Sequence, residues 1–186
     1  MDLHMVKKFL LTFKFYTVLL IIACVLFASV FKVSASSREL RIMAGFLYNF
    51  SKYVQWPAEK FTNDKSPLIF CIISKDSFVS IVEETLKGKT TQGRRLITQS
   101  RKRTDDLKSC HLVFIGFREQ ESAGHVWKFL PGSGVLTVGR WGKTSNAKVI
   151  INLIKDKNKF KFAINTNAAD QANLKIGSKL LKLAVQ

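Results

Sequence analysis

The chain has 186 residues, 30 of them Lys or Arg against 13 Asp or Glu, for a formal charge of +17. With a leader of 35 residues set aside, that length suits a single domain able to bury a sizeable core and leaves no need for a second. The basic excess favours anionic partners through long-range attraction and carries no information on fold.

Residues 1–35 hold Lys7, Lys8 and Lys14 ahead of an apolar run from Phe15 to Phe31 that no charge interrupts. A basic n-region followed by an apolar h-region is the pattern of a secretory signal, and Val33-Ser34-Ala35 supplies small residues for cleavage before Ser36. Two rivals share the segment: an uncleaved anchor, since the run is near the lower length that spans a bilayer, and a lipoprotein, because Ile21-Ile22-Ala23-Cys24 resembles a lipobox. Val25 to Phe31 stays apolar where a lipoprotein turns polar. Cleavage is expected, and it leaves residues 36–186 with a charge of about +14, since four lysines and one acid depart. Cys71 and Cys110 then remain, an even number in a disulfide-permissive compartment. They are read either as a pair or as two separate buried thiols.

Ser36-Ser37-Arg38-Glu39 has the capping-box form. Leu40, Met43, Leu47, Phe50 and Val54 follow at helical spacing, with Ile42, Phe46 and Tyr53 widening the stripe. Trp56-Pro57 ends this helix, since the residue before proline is pushed out of the helical region. Leu47 and Phe50 are expected inside, and Tyr48 and Trp56 partly exposed. Pro67 to Ser74 reads as a buried strand, and Phe78, Ile81, Val82 and Leu86 as the helix after it. A second strand and helix are expected at Leu112–Phe117 and Glu119–Leu130, then a turn at Pro131–Gly134 and a strand at Val135–Val138.

Leu96-Ile97-Thr98 reads as an edge strand, and Thr104–Leu107 as the opening of a helical turn. Val149–Ile154 and Phe160–Ile164 flank a polar turn and predict a β-hairpin. The remainder, through Ala168, Ala172, Ile176 and Leu181, carries helical spacing. The expected fold class is α/β, a single mixed sheet flanked by helices, with a late β-hairpin and C-terminal helices.

The motifs of common catalytic sites are missing: no HExxH, paired CxxC, P-loop or GxSxG occurs. Neighbours in a strand point to opposite faces, so Cys110-His111 does not make a nucleophile and base. No cofactor and no metal is expected. The basic cluster between Lys87 and Lys108, with Arg101, Lys102 and Arg103 at its centre, has no aromatics for base stacking. It is read as a face for anionic headgroups or for solvent, not for nucleic acid.

Several segments together resemble the YfiR family of periplasmic regulators: Phe46–Phe50 with Lys52-Tyr53-Val54 and Trp56-Pro57, Gly88-Lys89 with Gly93-Arg94, and Cys110–Gly116. Further on come Val135–Gly139, Ile151-Asn152, Phe162 with Ile164-Asn165, Ala168-Ala169, and Leu174 to Ala184 at matching spacing. The resemblance spans residues 40–185. It implies a small α/β binding protein that holds an inner-membrane diguanylate cyclase of the YfiN type inactive, and that an outer-membrane OmpA-like lipoprotein of the YfiB type sequesters. It also implies the Cys71–Cys110 disulfide. The chain departs from the family in lacking a second late cysteine pair and in carrying Arg140 where an acid is common.

The expected activity is therefore non-enzymatic repression of cyclic-di-GMP signalling and of biofilm. Tyr48, Trp56, Phe162 and Ile176 are the candidate partner contacts, and a second copy of the chain is also admitted as a partner. The alternative is a periplasmic small-ligand-binding subunit of a sensor kinase or transporter, which would need a pocket lined by convergent polar groups.

Overall fold

The computed structural model describes residues 16–17, 19–20, 37–74, 77–102, 104–116, 130–140, 149–157 and 159–185. The expected cleavage site, Cys24, Arg103 and the helix expected from Glu119 lie outside them. Among the described residues no helix is long and apolar enough to cross a membrane. The chain divides into Met1–Leu40 and Arg41–Gln186, and the second unit carries the sheet.

Helix α1 covers 37–53. Its inward face is Met43, Ala44, Leu47, Phe50 and Ser51, continued by Val54, the three- and four-residue steps of a helical stripe. Half-buried Phe46 widens that face as expected, with its ring 5.7 Å from that of Phe50, but Ile42 and Tyr53 do not: they are 42% and 37% exposed. The stripe also widens through the small residues Ala44 and Ser51. Ser51 tolerates burial because its hydroxyl donates to the Tyr48 carbonyl at 2.7 Å. The helix ends at Tyr53, ahead of the expected stop at Trp56-Pro57, because the chain has already turned extended as β1 (Val54–Gln55).

Among the described residues the main sheet has seven strands in the order β3-β4-β2-β5-β6-β7-β8. They are β2 (Leu68–Ile73), β3 (Thr90–Thr91), β4 (Arg94–Ser100), β5 (Leu112–Ile115), β6 (Leu136–Gly139), β7 (Ile151–Asp156) and β8 (Lys159–Ile164). From β4 to β7 the pairings are parallel, and antiparallel β3 and β8 close the two ends. Parallel strands lie under cover on both faces; β5 and β6 are accordingly buried at every residue. One face of β2 and β5 carries Cys71, Ile73, Val113 and Ile115, packed with Leu107, Cys110, Leu130 and Val135. The other meets helix α2 (Phe78–Leu86), whose Phe78 ring lies 4.7 Å from that of Phe114.

The expected hairpin is β7–β8, with Asp156 opposite Lys159 across a two-residue turn. Around Leu96 the strand is longer than expected and has β3 on its outer side, so it is not the final strand. Thr104–Leu107 forms turns without a helix.

The C-terminal segment departs from its helical spacing. Asn165 caps α3 (Thr166–Gln171) by accepting from the Ala168 amide at 3.0 Å, and Asn173 at φ +58 ends it in the left-handed region. Leu174 turns inward, and β9 (Lys175–Ile176) pairs antiparallel with β1, setting Ile176 opposite Val54. Pairing with β1 overrides the helical pattern here. Gly177 makes it possible: its amide donates to the Tyr53 carbonyl at 2.7 Å, and a Cβ there would sit 3.0 Å from the same oxygen. A short helix α4 (Ser178–Leu181) follows.

The Cys71 and Cys110 sulfurs are bonded, with 5.9 Å between the Cα atoms and a sequence separation of 39. Closing such a loop is worth about 4 kcal/mol in the chain-entropy model. Replacing both cysteines by serine is expected to lower the free energy of unfolding by up to that amount, read from urea denaturation of the non-reduced protein. Alkylation of that protein under denaturing conditions should label no thiol at these two positions.

Candidate functional site

His111, at the start of β5, links three strands and the segment after α1. Its amide donates to the Ile69 carbonyl at 2.9 Å. Its ring Nδ1 accepts the Ile69 amide at 3.1 Å. Its carbonyl receives both the Leu136 amide and the Trp56 indole N–H, each at 2.9 Å. Acceptance at Nδ1 places the ring proton on Nε2, a buried donor without a partner among the described residues. Phe61 stacks on the imidazole at 4.7 Å, and the Arg94 guanidinium lies 3.7 Å over the Phe61 ring while donating to the Asn63 and Ser66 carbonyls.

Beside this stack the 3-10 turn Ala58–Lys60 presents Lys60 to the Lys108 and Ser133 carbonyls, at 2.5 and 2.7 Å. Desolvation pulls the Lys60 ammonium down to about 8, with Asp106 opposing the shift. His111 is lowered to about 4, first by burial and then by the charges of Lys60 and Arg94. A neutral imidazole is what the geometry requires, since a protonated ring could not accept from Ile69.

The candidate contacts separate into different surroundings. Tyr48 is half-buried; its face carries the Lys52 ammonium at 4.0 Å and that of Lys89 at 4.9 Å. Ile176 is half-buried in the β1–β9 pair. Trp56 is only 8% exposed, against the expectation of partial exposure, because its N–H must reach the His111 carbonyl under β5. Phe162 is 6% exposed and lies edge-on to Phe46 and Phe50 of α1 at 6.0 and 5.1 Å, which gives it an internal packing role. Leu47 and Phe50 are buried as expected.

The basic cluster is also divided. Lys89 belongs to the Tyr48 group and Arg94 to the His111 stack. Arg101 is half-buried, with Nη2 held by Gln99 and Nε enclosed without a partner among the described residues, while Lys102 is exposed. Sequence reasoning missed Lys60, Phe61 and Gln92. Gln92, at φ +51, donates from its side chain to the Ser51 and Val54 carbonyls and so closes the end of α1. Its place before Gly93, in a stretch with no periodicity, was the one available signal of a tight turn.

A groove of about 440 Å³ runs between α2 and β4, lined by Ser80, Glu83, Leu86 and Thr98 among others. Among the described residues no three His, Cys, Asp or Glu side chains gather as metal ligands.

Cys71, Cys110 and His111, the one histidine among the described residues, are thus engaged in holding the sheet of an α/β domain together. The chain belongs to the YfiR/HmsC-like family, whose model matches residues 41–185. That family is a regulatory one. No curated protein matches the chain.

The His111 shift has a definite sign. Between about 6.5 and 4 the unfolded imidazole takes up a proton that the folded one refuses, so stability falls as pH drops through that window. Lys60 acts in the same sense higher up, with stability rising as pH climbs from about 8 towards 10.5. The urea midpoint is expected to decline from pH 7 to pH 4, and His111→Asn, which keeps an acceptor, should flatten that decline although it lowers the midpoint at pH 7. An equally steep decline in the variant would assign the pH dependence to other groups.

Proposed function

We propose that the chain is an exported, non-enzymatic inhibitor that binds the periplasmic sensor domain of an inner-membrane diguanylate cyclase of the YfiN type and so lowers cyclic-di-GMP. The observation that carries this reading is the family match over residues 41–185. The basic leader followed by an apolar run supports export, and a disulfide is at home in an oxidising compartment. In this reading an outer-membrane lipoprotein of the YfiB type relieves the inhibition by competing for the protein.

Inhibition requires only that the protein bind the inactive state of the sensor better than the active one. The half-buried Tyr48 and Ile176 are the contacts of choice among the four candidates, since Trp56 and Phe162 are buried. Approach to the partner occurs at an anionic membrane surface, where exposed Lys102 and its neighbours Arg101 and Arg103 add attraction that salt screens.

Deleting the protein is expected to raise cyclic-di-GMP and biofilm in a host expressing a YfiN-type cyclase. Unchanged cyclic-di-GMP with the cyclase present would remove this reading and promote the small-ligand-binding subunit. Neutralising Arg101, Lys102 and Arg103 together should weaken binding to anionic liposomes at low salt. Binding that is unaffected would leave those residues as a solvated face.

A further inference from the structure

Among the described residues strand β8 is the end of the main sheet. Which of its main-chain groups face outward follows from the hairpin. With Asp156 opposite Lys159 across a two-residue turn, that pair exchanges hydrogen bonds, and the bonded and non-bonded pairs then alternate. Phe160, Phe162 and Ile164 fall at non-bonded positions, so their amides and carbonyls point away from β7. Two bonds agree with this phase: the Asn165 amide reaches inward to the Ile150 carbonyl at 2.8 Å, and the Phe162 carbonyl accepts from outside.

The outside donor is the chain's own tail. After α4 the chain passes through Lys182 to Ala184 and places the Val185 amide 2.8 Å from the Phe162 carbonyl. Among the described residues no strand pairs with this edge. The tail therefore occupies one position of a ladder that offers several.

The side chains of β8 set what else fits there. Phe160, Phe162 and Ile164 lie on one face, where Phe46 packs against the first two at 6.3 and 6.0 Å. Lys159 and Lys161 lie on the other and are exposed. Asp156 pairs with Lys161 at 2.8 Å, yet the stretch from Lys155 to Lys161 still holds four lysines to one acid. Lysines along an edge blunt pairing with a like strand. A second β8 running antiparallel would set lysine against lysine, which destabilises a sheet.

We propose that the outer edge of β8 is a docking site for an extended segment of a partner protein with acidic and apolar residues in alternation, and that the C-terminal tail, through Val185, competes for it. The docked strand takes main-chain bonds from Phe160, Phe162 and Ile164 in the manner of strand addition. Its acidic residues lie beside Lys159 and Lys161, and its apolar ones extend the Phe160–Ile164 face. The site is independent of the enzyme named above, since any partner presenting such a segment satisfies it.

The test uses the full-length protein and a fluorescein-labelled octapeptide of alternating glutamate and valine, followed by anisotropy at low salt. The peptide is expected to bind, while a lysine-for-glutamate version binds at least tenfold more weakly. N-methylation of its interior amides should abolish binding. Val185→Pro removes the tail's donor and should tighten binding about fivefold, the equivalent of one hydrogen bond of about 1 kcal/mol. Lys159→Glu with Lys161→Glu, both at exposed positions, should reverse the preference towards the lysine peptide.

Equal binding of the N-methylated peptide, or a charge preference that survives the double reversal, would overturn the docking site, as would no binding to wild type or to folded Val185→Pro. Equal affinity of wild type and Val185→Pro would overturn the competing role of the tail.

Discussion

The exchange between His111 and Ile69 is the constraint on which the rest of the sheet depends. Adjacent parallel strands need their register fixed over a distance in sequence, because no tight turn does it for them. Here His111 bonds Ile69 twice, once through its amide and once through its ring, so β5 lies beside β2 in a single phase. The neighbouring Cys110 is tied to Cys71 one turn of the pleat away. The same His111 carbonyl then accepts from Leu136, which starts β6, and from Trp56, which fixes the segment leaving α1.

That arrangement explains an otherwise costly group. A buried ring N–H without a partner is unfavourable, and two cations stand close by. The ring is kept because the neutral imidazole offers an acceptor to the Ile69 amide, which would otherwise be left unsatisfied beside the first residues of β5. Lys60 plays a comparable part at longer range, since its ammonium gathers the Lys108 and Ser133 carbonyls from two loops. Gly134 completes the junction: it sits at φ +62 close against Pro57, so the turn before β6 rests on the segment after α1.

Much of this fold was legible in the sequence where one interaction decided the outcome. The runs at Leu68–Ile73 and Leu112–Ile115 are too short for helices and too apolar for edges, and they are central strands. The lysine-rich interval between two apolar runs is the hairpin turn. Where two signals competed, the wrong one prevailed: the spacing of Ala172, Ile176 and Leu180 is helical, yet Asn173 and Gly177 break it and β1 draws Ile176 into a strand. The site was less legible for a related reason. Aromatic residues near a helix end look available for partners, but the Trp56 donor has its acceptor 55 residues away, and the Phe162 ring fits against α1. Such long-range pairings leave no periodic trace.

The β1–β9 pair joins positions that are nearly the whole domain apart, Val54 with Ile176. Because α1 precedes the main sheet and β9 follows it, the Val54 end of α1 gains its strand partner only after the main-sheet strands, although Phe162 of β8 already packs against Phe46 and Phe50. Closing so long a loop comes at an entropic cost that earlier, more local contacts must first offset. The clasp therefore behaves as a completeness check on the polypeptide: a chain truncated before Leu174 retains every main-sheet strand but leaves the end of α1 unlatched, exposing to quality-control proteases a surface that the finished molecule hides.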